Sequence, residues 1–342
     1  MYPRVEIKRG GPCRSALGSW PRCDWLSRPS PLVPKPTIWL LHAMTVLVLH
    51  TLPPAGPPER SPYEFDLSET AAAIAEAIPE ARVVGVRGEV SEIVEAVASH
   101  RPAVVFNLCE APLGRSDLEA HAAAVLEWLG VRFTGCGSET LALCRRKDRT
   151  RAVLTETGIP VPPNGVFPCI VKPADEDASV HIDLDSVCET ETQMACALAR
   201  LPGRAVIEAF IPGREFMVAL WGRDEPDNLS YCETRFLNGL RLSTYVSKWE
   251  EGSQEFLDSP YCYSTLESEL RNRIFAVAVA AWRAVGARGY LTVDIRLDAS
   301  NRPFVLDINP NPNLGVGVGI VRAAEEVGWT WEGFLRRQIE WA

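Results

Sequence analysis

Between Thr45 and Thr134 short apolar stretches alternate with amphipathic ones, and this alternation limits the possible folds more than any other feature of the chain. Strands are expected over 45–51, 82–86, 103–107 and 131–134, with helices over 68–78, 90–99 and 117–129 between them. Strand and helix in turn imply a parallel sheet with helices on both faces, a Rossmann-like unit of about 100 residues.

Past Ser138 the order changes to an α+β pattern. One helix is expected from Ser138 through Lys147 to Gly158, followed by a strand over 169–173, a helix over 191–199 and a strand over 205–208. Strands over 215–220, 229–233 and 240–247, a long helix over 266–285 and a terminal hairpin complete the chain. The expected units are 44–137, 138–208 and 209–342. Residues 1–43 are rich in proline and arginine and show no period, so a disordered leader or an extension ahead of Met44 is expected there. The apolar run 38–49 is too short to span a bilayer and is interrupted by His42.

The hairpin carries the clearest chemistry. In Tyr290-Leu-Thr-Val-Asp-Ile-Arg-Leu, Leu291, Val293, Ile295 and Leu297 share one face, and in the second half Phe304, Leu306 and Ile308 do the same. The opposite faces present Asp294, Asp307 and Asn309, and the turn formers 298–303 permit a register with Asp294 opposite Asp307. Hard oxygen donors of this kind suit Mg²⁺ or Mn²⁺, while a half-exposed hairpin with a wet acidic face is the bland alternative. Lys172 ends an apolar strand just before Pro173, which suits either a phosphate ligand or a surface lysine. Lys147 is expected on a solvated helix face.

A net charge of −9 leaves no basic field for nucleic acid. The ten cysteines form no C-x-x-C pair, as expected of reduced thiols in a cytoplasmic protein, and the five histidines show no zinc spacing. No membrane partner is expected.

An ordered series of segments resembles the ATP-grasp superfamily and, within it, the D-alanine:D-alanine ligases. It comprises Phe106-Asn107, Phe133-Thr-Gly-Cys-Gly, Lys147-Asp-Arg-Thr, Gly158-Ile-Pro-Val-Pro, Ile170-Val-Lys-Pro, Glu208-Ala-Phe-Ile-Pro-Gly-Arg-Glu, Ser247-Lys-Trp, Gly289-Tyr-Leu-Thr-Val-Asp and Leu306-Asp-Ile-Asn-Pro. The resemblance implies a Rossmann-like domain followed by two α+β lobes that enclose ATP. It also implies that Lys147, Lys172 and Lys248 meet ATP phosphates, and that Glu208, Phe210, Ile211 and Glu215 hold adenine and ribose. Asp294, Asp307 and Asn309 would hold Mg²⁺. The implied activity joins a small carboxylate to an amine, both amino acids or small peptides, through an acyl phosphate, and a homodimer is compatible with it.

This chain departs from the family pattern in places. The loop after Lys172, Ala174-Asp-Glu-Asp-Ala-Ser-Val-His, is acidic and has no glycine, so it is expected to face a cationic amine. Thr292 stands where the family has an arginine two residues before the first metal carboxylate. Arg296, on the same strand face as Asp294, is a candidate catalytic substitute alongside Lys248, although exposure and pairing with Asp298 are expected of it. The serine beyond the Asn-Pro motif and the amino-terminal glycine and glutamate motif lack clear counterparts. Divergent substrates are therefore expected. The alternatives are a ligase acting on a non-amino-acid carboxylate and a nucleotide-binding protein that ligates nothing.

Overall fold

The structure, a computed structural model, describes residues 45–53, 67–317 and 319–342. The leader expected over 1–43 lies outside the described residues. The first sheet is parallel, in the order β2-β1-β3, formed by β1 (Val46–Thr51), β2 (Ala81–Val86) and β3 (Val104–Leu108). All six residues of β1 are buried, as a central parallel strand requires. The helices α1 (Ser68–Ala77), α2 (Val90–His100) and α3 (Glu119–Trp128) alternate with these strands. A reciprocal cap between Glu89 and Glu92 starts α2 by satisfying its first backbone N–H groups.

The strand expected over 131–134 does not form. Phe133 makes a single parallel bridge with Val105, and the chain then turns at Gly135, whose φ of 85° is open to glycine. The turn brings Gly135 against Tyr290, whose hydroxyl would lie 3.2 Å from a side-chain Cβ at that position. The single helix expected from Ser138 to Gly158 is also corrected. It is two helices, α4 (Ser138–Cys144) and α5 (Lys147–Glu156), broken at Arg146 with φ −106° and ψ 85°. At the break the Lys147 amide donates to the Ala174 carbonyl at 2.8 Å, which ties the start of α5 to the loop after Lys172.

The second sheet, in the order β5-β4-β6, is antiparallel and comprises β4 (Cys169–Pro173), β5 (Val187–Cys188) and β6 (Ala205–Ala209). It packs on α6 (Glu191–Arg200), which starts from a cap between Thr190 and Gln193. Next come β7 (Glu215–Gly222), β8 (Pro226–Thr234), α7 (Tyr245–Trp249), α8 (Gln254–Leu257) and β9 (Tyr261–Cys262). The chain ends with α9 (Ser268–Ala284), β10 (Gly289–Leu297), β11 (Pro303–Asn309), α10 (Gly319–Glu325) and α11 (Trp331–Trp341). The third sheet, β11-β10-β7-β8-β9, is antiparallel throughout. On α9, Ile274, Ala278, Ala281 and Trp282 form one buried stripe. That stripe belongs to a core that also holds Phe216 and Val293 from the third sheet and Leu47 and Val105 from the first.

The strand expected over 240–247 is absent. Thr244 instead accepts a hydrogen bond from the Ser247 amide at 3.0 Å and so starts α7. The hairpin has the expected register, with Asp294 opposite Asp307. Strict alternation does not survive in β11, because a bulge shifts the register between Asp294 and Ile295 and leaves Leu306 as the extra residue. As a result Val305 joins Ile308 in the core shared with Val293 and Ile295, while Phe304 packs on Ala209 and Ile211.

Candidate active site

Two buried lysines, one from α5 and one from β4, meet the hairpin. Lys147, at the first position of α5, is not on a solvated face: its Nζ lies 2.7 Å from Asp177 Oδ1 and 2.6 Å from Asp307 Oδ2. The interrupted helix is the reason, since the break after Cys144 turns this side chain inward. Burial works against its charge, and the carboxylates of Asp177 and Asp307 more than offset that, so its pKa stands above the usual lysine range. Lys172 is likewise buried, 2.6 Å from Glu208 Oε1, and it donates to the Leu306 carbonyl at 2.9 Å. The bulge makes that carbonyl available. Arg151, one turn along from Lys147, donates to Glu208 Oε2 at 2.9 Å and to the Pro162 carbonyl. These ion pairs leave a gap of only about 20 Å³ between the two sheets, room for a single water molecule.

Beyond Glu208 the chain runs through Phe210 and Ile211, both buried, to Glu215. Phe210 packs on Val187 and Leu242, with the Arg296 guanidinium 4.9 Å from its ring centre. Arg296 is therefore neither exposed nor paired with Asp298, which instead accepts from the Ser300 hydroxyl at 2.7 Å. Its Nε donates to Glu215 Oε2 at 2.7 Å, and its terminal nitrogens donate to the carbonyls of Ile211 and Arg241. The largely enclosed Glu215 carboxylate needs a cation, and Arg296 supplies it; loss of solvent raises the Glu215 pKa, but Arg296 and the Ser243 hydroxyl bring it below the usual range. With its donors so engaged, Arg296 fixes the shape of the 208–215 segment.

Asp294 and Asp307 face each other across the hairpin, and Asn309 lies exposed opposite Thr292. Burial, opposed by Lys248 and reinforced by the Glu215 and Asp307 charges, pushes Asp294 up to about 6. A carboxyl raised by burial beside a second carboxylate is what a divalent cation would relieve, so this pair and the Asn309 amide oxygen suit Mg²⁺. Among the described residues no three His, Cys, Asp or Glu side chains gather as a metal cluster, so the protein alone would provide two carboxylates and an amide. Lys248, on α7, is half-buried and close enough to Asp294, Asp177 and Glu215 to affect all three.

The acidic loop does not offer open negative charge to an amine. Asp175 lies 3.5 Å from Arg204, Glu176 lies 3.7 Å from Arg145, and Asp177 is shared between Arg145 and Lys147. The loop has positive φ at Ala178, Ser179 and His181, and the Trp249 indole pins it by donating to the Ala178 carbonyl at 2.9 Å. Sequence reasoning missed Arg145 and Arg151, although the four-residue spacing of Lys147 and Arg151 already put both on one helix face, and it gave Asp177 to a substrate amine where the structure pairs it with Lys147. It also missed Glu110 and Glu119. Burial raises Glu110 to about 7, and burial with the Glu110 charge raises Glu119 to about 8, even though the Asn311 side chain donates to Glu119 at 2.6 Å.

The family described as D-ala D-ala ligase C-terminus matches residues 146–340. The uncharacterized protein y4sG of Sinorhizobium fredii is 30% identical over 246 residues, 68% of this chain and 72% of that protein. The D-alanine--D-alanine ligase of Cupriavidus taiwanensis is 26% identical over 239 residues, covering 65% and 71% of the two chains. Among solved structures, the D-alanine--D-alanine ligase of Bacillus anthracis complexed with ATP superposes with a TM-score of 0.67 at 16% identity, over 87% of this chain and 96% of that one. The fold is the ATP-grasp fold of those ligases.

Proposed function

The chain belongs to the D-ala D-ala ligase C-terminus family, and on that premise we infer that it is an ATP-dependent ligase that joins a small carboxylate to an amine. The observation that carries this reading is the convergence of two lysines on one hairpin, Lys147 paired with Asp307 and Lys172 donating to the neighbouring Leu306 carbonyl, where Asp307 faces Asp294. Phosphoryl transfer needs positive charge around the γ-phosphate far more than it needs covalent help. Lys147, Lys172 and Lys248 would provide that charge. Phe210, Ile211 and Glu215, with Glu208 behind them, would hold adenine and ribose, and Arg296 would keep that wall in place. Asp294, Asp307 and Asn309 would hold Mg²⁺, which neutralises phosphate charge when bound.

In the first step a carboxylate oxygen attacks the γ-phosphorus and ADP leaves. In the second the amine nitrogen attacks the acyl carbon, the C–O bond to phosphate breaks, and the amine gives up a proton. Exclusion of water protects the acyl phosphate from hydrolysis. Nucleotide entry requires Lys147 and Lys172 to part from their carboxylates, given the narrow gap between the sheets.

A phosphate-release assay with ATP, Mg²⁺ and pooled L- and D-amino acids, with products identified by mass, tests the reading. An amide formed one for one with ADP and phosphate is expected. The neutral hydroxyl of Thr292, standing beside Asn309, is the observation that favours a nucleotide binder without ligase activity. Substrate-independent ATP binding with no amide product would decide for that second reading.

A further inference from the structure

Asn309, the exposed member of the three candidate metal ligands, stands at the last position of β11, where the hairpin pairing ends. An exposed side chain at a strand end is free to swing, whereas a cation ligand has to be held in one orientation. Here the Asn311 backbone N–H donates to Asn309 Oδ1 at 2.9 Å, which fixes the side chain and leaves the second lone pair of that oxygen open. Asn311 is itself held from two directions. Pro310 and Pro312 flank it, both buried and each with its φ locked by the ring. Its side chain then crosses to the parallel-sheet domain, where Nδ2 donates to Glu119 Oε1 at 2.6 Å while Oδ1 faces the Tyr290 hydroxyl at 3.5 Å. Glu119 is the first residue of α3 and stands 192 residues earlier in the chain. An apolar side chain at 311 would fill the same space, but a donor aimed at a carboxyl also fixes direction.

We propose that Asn311 and Glu119 are positioning residues for the cation: Glu119 anchors the Asn311 side chain, and Asn311 aims the Asn309 oxygen. The proposal rests on the reading of Asp294, Asp307 and Asn309 as Mg²⁺ ligands and deepens it. All three ligands lie on the hairpin, yet the orientation of one of them depends on a helix of the parallel-sheet domain.

The test uses the full chain with Mn²⁺ as the probe, at one saturating ADP concentration, with free Mn²⁺ read by electron paramagnetic resonance. Asn311→Ala and Glu119→Ala should each raise the Mn²⁺ dissociation constant about 10- to 100-fold, the range for loss of a group that orients a metal ligand. Asn311→Leu, which keeps the bulk and loses the donor, should do the same. Glu119→Gln keeps an acceptor for Asn311 and should stay within about threefold of the wild type. In an Asn309→Ala background, where no oxygen is left to aim, none of these substitutions should change the affinity by more than about twofold. Wild-type affinity in Asn311→Leu or Glu119→Ala would overturn the proposal, as would a loss in Glu119→Gln as large as in Glu119→Ala. An equal loss in the Asn309→Ala background would also overturn it, because a general structural role would not depend on Asn309. Each of these results leaves the ligase reading in place, since amide formation is measured separately. No Mn²⁺ bound by the wild type would overturn the metal assignment and the proposal together.

Discussion

The cations of this molecule fall into two groups that solve the same problem in opposite ways. Around Lys147 and Lys172 positive charge is buried and matched by carboxylates of the protein, whereas around Lys248 and Arg322 it faces an open cleft with no ion pair from the described residues. A buried lysine left without a partner would be expelled or neutralised, so the first group is built into the fold. The second group is solvated and can be unmatched at little cost. Stability and chemistry should therefore separate between them under mutation.

The sharpest test is Glu208→Ala. Glu208 is buried and takes both Lys172 and Arg151, so its removal strands two cations, and breaking a buried pair typically costs about 3 to 5 kcal/mol. Urea denaturation should show a loss of that order. A loss below about 1 kcal/mol would mean that the paired cleft is no more tightly built than the open one.

Lys248→Ala should behave in the reverse manner. Its side chain is half-buried and holds no ion pair among the described residues, so stability should change by no more than about 0.5 kcal/mol. The loss of a positioned cation at a transferring phosphoryl group is worth about 100- to 1,000-fold in kcat. A variant that unfolds readily, or one that keeps full ATP turnover, would break the contrast from the other side.

The same division explains what could be read in the sequence. The facing carboxylates Asp294 and Asp307 were legible because β10 alternates strictly and the turn between the strands is short. The bulge at Leu306 was not legible, since the lysine that donates to the Leu306 carbonyl there comes from another sheet. Lys147 looked like a surface residue because α4 and α5 read as one periodic helix. The break depends on a hydrogen bond to Ala174, 27 residues away, which no local pattern records. Arg296 looked exposed for a similar reason: its partners at Glu215, Ile211 and Arg241 come from three other segments. Local period and turn chemistry identified most strands and helices, while pairing between distant charges set the details of the site.

Glu110 and Glu119 extend the comparison to carboxylates, since neither has an ion pair among the described residues, in contrast to Glu208. Burial raises them to about 7 and about 8, so the folded chain keeps protons that the unfolded chain releases at the ordinary glutamate value. Their contribution to stability is complete below that value and is lost as pH rises through their folded pKa values. At about 1.4 kcal/mol for each pH unit over which one of these carboxyls stays protonated only in the folded chain, the wild type should lose several kcal/mol between pH 5 and 8 from this source. Glu119→Gln should flatten that slope in denaturant titrations across the range, whereas a variant as pH-sensitive as the wild type would assign the slope elsewhere.

The smallest expected effect falls on Asp177, where the two groups meet. Its carboxylate is half-exposed, lies 2.7 Å from Lys147, and is held below the usual range because Lys147 and Arg145 outweigh its burial. Asp177 thus occupies a lysine that the ligase reading assigns to phosphate, and any nucleotide that uses Lys147 must first displace it. A partly exposed pair of this kind is worth about 0.2 to 1 kcal/mol. Asp177→Asn should therefore lower the melting temperature of the ligand-free chain slightly and at the same time tighten ATP, with a dissociation constant about two- to fivefold lower by calorimetry. The opposite signs are the informative part. If Asp177→Asn weakened ATP instead, the loop carboxylate would be helping to organise the nucleotide site, and Lys147 would belong with the cations that the protein keeps available for ligand.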